Sequence, residues 1–399
     1  AMHPRLRLLT LALFLPLVLC DVKKSITLEL KNFGGYMWYT SIGIGSPAVL
    51  FNVTIDTGSS NLIVPSAGCA SCPPPVFYNS SRSSTATPED CNTKSFKCAT
   101  CYHGGCASSV DYGGSIEEDF TLVSDVATIG GVHVRTVLGA VYNISMGTTS
   151  SLARRHALLV GDESYPEGML GLGFPALVDA RSGTLFDSLV KETGLDDLFS
   201  FSLSETGGVL RLGGRLAPPT PATMRSALVA PPRFYTLHMT DFLVAGATVG
   251  LPSTIYNVQG AGCIVDTGTS VPSIPTKAFA VLRHRLMDTC GGDAPLPGVC
   301  GVPSNATLLD GQCFRLTDAQ RHSFPTLTFV VDGAKLEYPP TSYLTNQYFC
   351  QHADTVGLAL TPDPRFTVLG ATLLSRYDVT ISRTAHMHNP GFVDFTLKE

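Results

Sequence analysis

Two short acidic motifs occur in matching settings, one in each half of the chain: Asp56-Thr57-Gly58-Ser59 and Asp266-Thr267-Gly268-Thr269. Two carboxyl groups held face to face cannot both ionise cheaply, so one keeps its proton while the other titrates low. Such a pair carries a general acid and a general base in one place and can activate a water molecule. Each motif follows an apolar run, Val53-Thr54-Ile55 and Ile264-Val265, which places each aspartate just past the end of a buried strand. A lone Asp-Thr-Gly is ordinary turn chemistry. Two copies about half a chain apart predict two related lobes, each supplying one acid to a site at their interface.

Both motifs are followed, at a similar distance, by an apolar pair and a glycine. These lie in Glu167-Gly168-Met169-Leu170-Gly171-Leu172-Gly173 and Phe366-Thr367-Val368-Leu369-Gly370. Supporting segments are Ile42-Gly43-Ile44-Gly45-Ser46-Pro47, Asn61-Leu62-Ile63-Val64-Pro65, Phe199-Ser200-Phe201-Ser202-Leu203, Leu210-Arg211-Leu212-Gly213-Gly214 and Phe324-Pro325-Thr326-Leu327. From about Ser25 to the C-terminus the chain resembles the pepsin family of aspartic proteases.

The resemblance implies a mostly-β, bilobal acid-protease fold with the active site in the cleft between two barrel-like lobes. It implies an N-terminal lobe over 25–222 and a C-terminal lobe over 223–399. The proline-rich stretch Ala217-Pro218-Pro219-Thr220-Pro221 reads as a stiff surface linker between them.

The same resemblance assigns Asp56 and Asp266 as the catalytic acids, holding one water between them. The ionised partner takes a proton from that water as it attacks a peptide carbonyl, and the protonated partner donates to the developing oxyanion; no acyl-enzyme forms. Gly58 and Gly268 allow a close backbone approach that leaves amides free to donate to the carboxylates. Ser59 and Thr269 are expected to hydrogen-bond the outer carboxylate oxygens.

A hairpin flap over an extended substrate is assigned to Tyr112-Gly113-Gly114-Ser115, with Tyr112 as the flap tyrosine. Here the chain departs from the family pattern, being one residue shorter between the tyrosine and the Gly-Ser pair. Ile63 stands where many relatives carry a tryptophan. Glu117, Glu118 and Asp119 read as a solvated hairpin face; any of them turned toward the cleft would favour basic substrate side chains.

At 399 residues the chain suits two domains of ordinary size, and its 38 glycines and 27 prolines punctuate short β-rich runs. Helical patterns are few, the clearest being Leu185 to Thr193 and Thr276 to Met287. A net charge of −5 without a basic run excludes a nucleic-acid footprint.

Residues 1–20 read as a signal peptide: Arg5 and Arg7 precede the apolar stretch Leu8 to Leu19, with cleavage after Cys20. No second apolar span follows, so no membrane anchor is expected. Only Asp21-Val22-Lys23-Lys24 then precede the alternating segment from Ser25, too few residues for an occluding prosegment. The expected setting is the secretory pathway, extracellular or an acidic endolysosomal or vacuolar compartment, for a monomer acting on proteins or peptides.

Six cysteines, Cys69, Cys72, Cys91, Cys98, Cys101 and Cys106, crowd an insertion over 69–106. Two C-x-x-C spacings admit a zinc site, but behind a signal peptide disulfides are favoured, with open connectivity. The insertion resembles that of nepenthesin-type members. By the same resemblance Cys313 pairs with Cys350, leaving Cys290 and Cys300 to pair locally and Cys263 as a buried free thiol. No metal or other cofactor is expected; His386-Met387-His388 reads as a surface segment. Glycosylation candidates are Asn79, Asn143 and Asn305, whereas Asn52 leads directly into the catalytic turn. The rival reading is a non-catalytic peptide-binding or inhibitor protein on the same scaffold. It is disfavoured because relatives of that kind lose an aspartate or the adjacent hydroxyl, and this chain keeps all four positions.

Overall fold

A computed structural model describes residues 25–72, 76–91, 98, 100–112, 116–146, 166–177, 183–230, 233–257, 262–346, 350, 352–383 and 391–398. The signal-peptide assignment, the flap residues Gly113, Gly114 and Ser115, and His386-Met387-His388 lie outside the described residues.

Alternation of apolar and polar residues makes the first strand, Ile26–Phe33, bury Ile26, Leu28 and Leu30 while Thr27 and Glu29 face solvent. The strands that lead to the acids are different. Val53, Ile55, Leu170, Cys263 and Val265 are all within 1 % of full burial, as expected for parallel-paired strands covered on both faces.

The two halves repeat one arrangement. In the N-terminal half, Gly168–Gly171 lies between Val49–Asp56 and Leu62–Pro65, parallel to the former and antiparallel to the latter. In the C-terminal half, Thr367–Leu369 lies between Cys263–Val265 and Ser273–Pro275 with the same two orientations. Each apolar-apolar-Gly segment is thus threaded between the strand before its aspartate and the strand after it.

The glycines are there because the threading is tight. A Cβ on Gly171 would come within 3.0 Å of the Ser60–Asn61 backbone, and one on Gly370 within 3.0 Å of the Val271–Pro272 backbone. Neither neighbour is the movable end of a side chain.

A third set of strands joins the halves. Met224–Ala227, Phe392–Leu397, Tyr377–Ser382, Leu198–Ser204, Gly207–Leu212 and Ile26–Phe33 pair antiparallel in that order. The exposed stretch 217–222 connects this sheet's N-terminal-half strands to Met224–Ala227. Arg383, only 6 % exposed, ties the end of Tyr377–Ser382 to Asp187 and Asp197 of the N-terminal half. One continuous apolar core runs from Ile26 to Phe395 through both halves.

Helices are short and flank the sheets. Leu185–Thr193 is set by a Thr184–Asp187 capping box and ends at left-handed Gly194; Thr276–Asp288 buries Ala278, Phe279, Leu282 and Leu286 along one face. No helix among the described residues is long and apolar enough to cross a membrane.

The insertion cysteines are paired Cys69–Cys72, Cys91–Cys101 and Cys98–Cys106, and the C-terminal half carries Cys290–Cys300 and Cys313–Cys350. Cys263 is a buried free thiol. Asn305 is exposed; Asn79 and Asn143 are half-buried, and Asn143 donates its side-chain amide to Asp119 at 3.0 Å.

Candidate active site

Both aspartates stand where the strand pairing releases the chain into a turn. Leu172 N donates to the Asp56 carbonyl at 2.7 Å, and Asp266 N donates to the Leu369 carbonyl at 3.1 Å, so each threaded segment holds its acid's backbone. The amide of Gly58 donates to Asp56 Oδ1 at 2.8 Å and that of Gly268 to Asp266 Oδ1 at 2.8 Å.

The two turns are pressed together. A Cβ on Gly58 would meet the Asp266 carboxyl within 3.0 Å, and one on Gly268 would meet the Asp56 carboxyl equally closely. The glycines therefore do more than free their own amides: each gives way to the other half's acid, and this brings the carboxyl groups face to face.

Thr57 and Thr267 were not singled out by the sequence, though their hydroxyls organise the site. Thr57 Oγ1 donates to the Val265 carbonyl at 2.9 Å and accepts from Thr267 N at 3.0 Å. Thr267 Oγ1 donates to the Ile55 carbonyl at 2.8 Å and accepts from Thr57 N at 3.1 Å. Both threonines are almost fully buried. The available signal was the identity of the second motif residue in both copies, a hydroxyl where turn chemistry alone does not ask for one.

The supporting hydroxyls are unequal. Thr269 Oγ1 donates to Asp266 Oδ2 at 2.6 Å, and Thr269 N adds a bond to Oδ1 at 3.2 Å. Ser59 Oγ makes no hydrogen bond of ordinary geometry, yet it lies close enough to both Asp56 and Tyr112 to stabilise their ionised forms, a looser engagement of the acid than that of Thr269.

Burial and then the charge of Asp266 hold the Asp56 carboxyl well above the usual carboxylate range. Tyr112 ends the strand Gly105–Tyr112 and packs on a cluster that includes Ile63, Phe120 and Val141. Burial, then Glu118 and then Asp56 raise its phenol. The tyrosine therefore adjoins the acids, with Ile63 beneath it. The solvated-face reading of residues 117–119 holds for Glu117, which is exposed, and fails for Glu118, which is half-buried with its carboxyl pushed up to about 7 by desolvation.

A buried Asp56 and a half-buried Asp266, each fixed by backbone amides and set against one another where the two halves meet, form a water-activating type of hydrolase site in which the carboxyls themselves can serve as acid and base. The family model for eukaryotic aspartyl protease matches residues 37–386. The chain is similar to human (Homo sapiens) gastricsin, 28 % identical over 343 residues covering 84 % of this chain and 74 % of that one. It is similar to Rattus norvegicus cathepsin D, 28 % identical over 332 residues covering 81 % and 70 %, and to Gadus morhua pepsin-2B, 26 % identical over 369 residues covering 90 % and 97 %. The chain belongs to the eukaryotic aspartyl protease family, and its class is that of aspartic endopeptidases.

Proposed function

We propose that the protein is a secretory-pathway aspartic endopeptidase in which Asp56 and Asp266 jointly activate a water for attack on a peptide bond at acidic pH. The mutual packing of Gly58 on the Asp266 carboxyl and Gly268 on the Asp56 carboxyl carries this reading, because it sets the two acids side by side. Asp56, held up by burial, is assigned the shared proton, and Asp266, receiving donors from Gly268 N, Thr269 N and Thr269 Oγ1, is assigned the role of base.

In the forward step Asp266 takes a proton from the water as its oxygen adds to the substrate carbonyl. Asp56 donates its proton to the carbonyl oxygen, giving a neutral gem-diol. Asp266 then gives its proton to the departing amide nitrogen while a gem-diol hydroxyl returns a proton to Asp56, so the C–N bond breaks to carboxylic acid and amine and the one-proton pair is restored. Tyr112 is assigned to cover the substrate from above, and the lobes are assigned to 25–222 and 223–399. The five disulfides suit an oxidising compartment.

The test is peptide hydrolysis between pH 3 and 8 by the wild type, Asp56→Asn and Asp266→Asn, with circular dichroism to confirm folding. Each variant should lose about 10⁴-fold or more in kcat, since Asn is isosteric and transfers no proton. Turnover near wild type in either folded variant overturns the mechanism.

A further inference from the structure

The strand Ile116–Ile129 is paired on both sides, and its register places Glu118 between Val110 and Ile144, with Tyr112 opposite Ile116. Side chains alternate, so Glu117 and Asp119 turn outward; Asp119 is engaged there by Asn143 Nδ2. Glu118 turns to the face that carries buried Phe120 and Leu122 and packs over Ile63, with Val110, Tyr112 and Ile144 around it.

Among the described residues no hydrogen bond or ion pair engages the Glu118 carboxyl. None of the residues in 105–112, 116–124 and 137–146 is Lys or Arg. The ionisable groups on its side are Tyr112, which senses Glu118, and beyond it Asp56 and Asp266. An acid half-withdrawn from water and surrounded only by apolar and acidic neighbours is costly to ionise. A serine, glycine or apolar residue would avoid that cost, so the position asks for a cation from outside the chain.

We propose that Glu118 is the specificity residue of a substrate subsite beside Tyr112 that takes a basic side chain, Lys or Arg, of an extended peptide. The inference rests on the endopeptidase reading and names a substrate class for that same site. A Lys or Arg stem lies against Val110, Phe120 and Ile144 while its charged head meets the carboxylate, in a charge-assisted bond strengthened by exclusion of water. Because burial sets this carboxyl at about 7, a cation arriving at acidic pH must first displace its proton, and the preference strengthens as pH rises toward neutrality.

The experiment uses the disulfide-intact enzyme and a peptide series in which lysine is walked through each position around the scissile bond, with norleucine at the same position as the reference. At one position lysine should raise kcat/KM at least about tenfold over norleucine at pH 6.5, and less at pH 4. Glu118→Gln should bring that lysine-to-norleucine ratio close to one, and Glu118→Lys should favour glutamate over norleucine there. Absence of lysine preference at every position, or its persistence in Glu118→Gln, overturns the inference while cleavage of the norleucine peptides leaves the endopeptidase reading standing. If no peptide is cleaved at any pH and Asp56→Asn is indistinguishable from wild type, the endopeptidase reading falls and takes the inference with it.

Discussion

Thr57 and Thr267 exchange four hydrogen bonds across the junction of the two halves: each hydroxyl donates to a strand carbonyl of the other half and accepts from the other threonine's amide. The acids one residue before them can face each other only because this lattice holds the two turns in register.

Replacing either threonine should therefore damage stability and activity together. Thr57→Val keeps the shape but leaves the Val265 carbonyl and the Thr267 amide without their partners in a buried site. A cost of roughly 1–3 kcal/mol per orphaned group is expected. Thr267→Val removes the other two bonds, and the double variant should cost less than the sum because loosening one turn already frees the other. Urea unfolding of the four proteins measures this; additive single effects would show that the lattice is not cooperative.

Gly268→Ala separates activity from stability in the other direction. Its methyl would stand within 3.0 Å of the Asp56 carboxyl, so the acids must move apart. A displacement on the order of 1 Å costs about 100-fold in turnover. Gly268→Ala should show at least that loss in kcat while its unfolding midpoint moves far less than that of Thr57→Val. Gly291, whose Cβ direction is open and whose φ is not left-handed, is the control for substitution elsewhere.

The pH dependence of stability follows from carboxyls that burial holds above their ordinary values: Asp56, Glu89, Glu118, Glu167 and Asp197. For each, the folded state binds a proton more tightly than the unfolded chain. Their contribution is complete below the unfolded pKa and is lost as pH rises through the folded one. Stability should thus fall between about pH 4 and 7, opposite in sign to the usual salt-bridged acid. Glu118, moved from 4.5 to about 7, accounts for on the order of 2–3 kcal/mol of that fall. Thermal unfolding of wild type and Glu118→Gln across this range checks it: the variant's curve should be flatter by that amount, and parallel curves would show that Glu118 does not titrate with folding.

Thiol counting tests the covalent frame. Expressed from Asp21 and denatured without reductant, the protein should react with one equivalent of thiol reagent, at Cys263, and with none while folded, since that thiol is fully buried and burial pushes its pKa up. Intact mass after alkylation reads the number. Three or more reactive thiols would mean that the pairings of the insertion are not formed.

The sequence by itself carried the features that depend on neighbours in the chain. Strand-then-turn patterning placed Asp56 and Asp266 past buried strands, and an apolar repeat of helical period marked the helix Leu185–Thr193. Repetition of a motif, a property of the string, predicted two lobes. Tertiary structure decided whatever depends on distance between remote segments. Thr57 meets Val265 across more than half the chain, and the recurrence of threonine at the second position of both motifs hinted at a role without showing what its hydroxyl reaches. Thr269 bonds its acid closely while Ser59 engages Asp56 only loosely, a difference set by the packing around each turn rather than by the shared motif. Glu118 turns inward and Glu117 outward because the hairpin's register fixes which face of a period-two strand is covered, and composition alone made all three acids of 117–119 look solvated. The partners of the six insertion cysteines follow from the same cause: spacing permits many pairings, and the fold brings together only Cys69 with Cys72, Cys91 with Cys101 and Cys98 with Cys106.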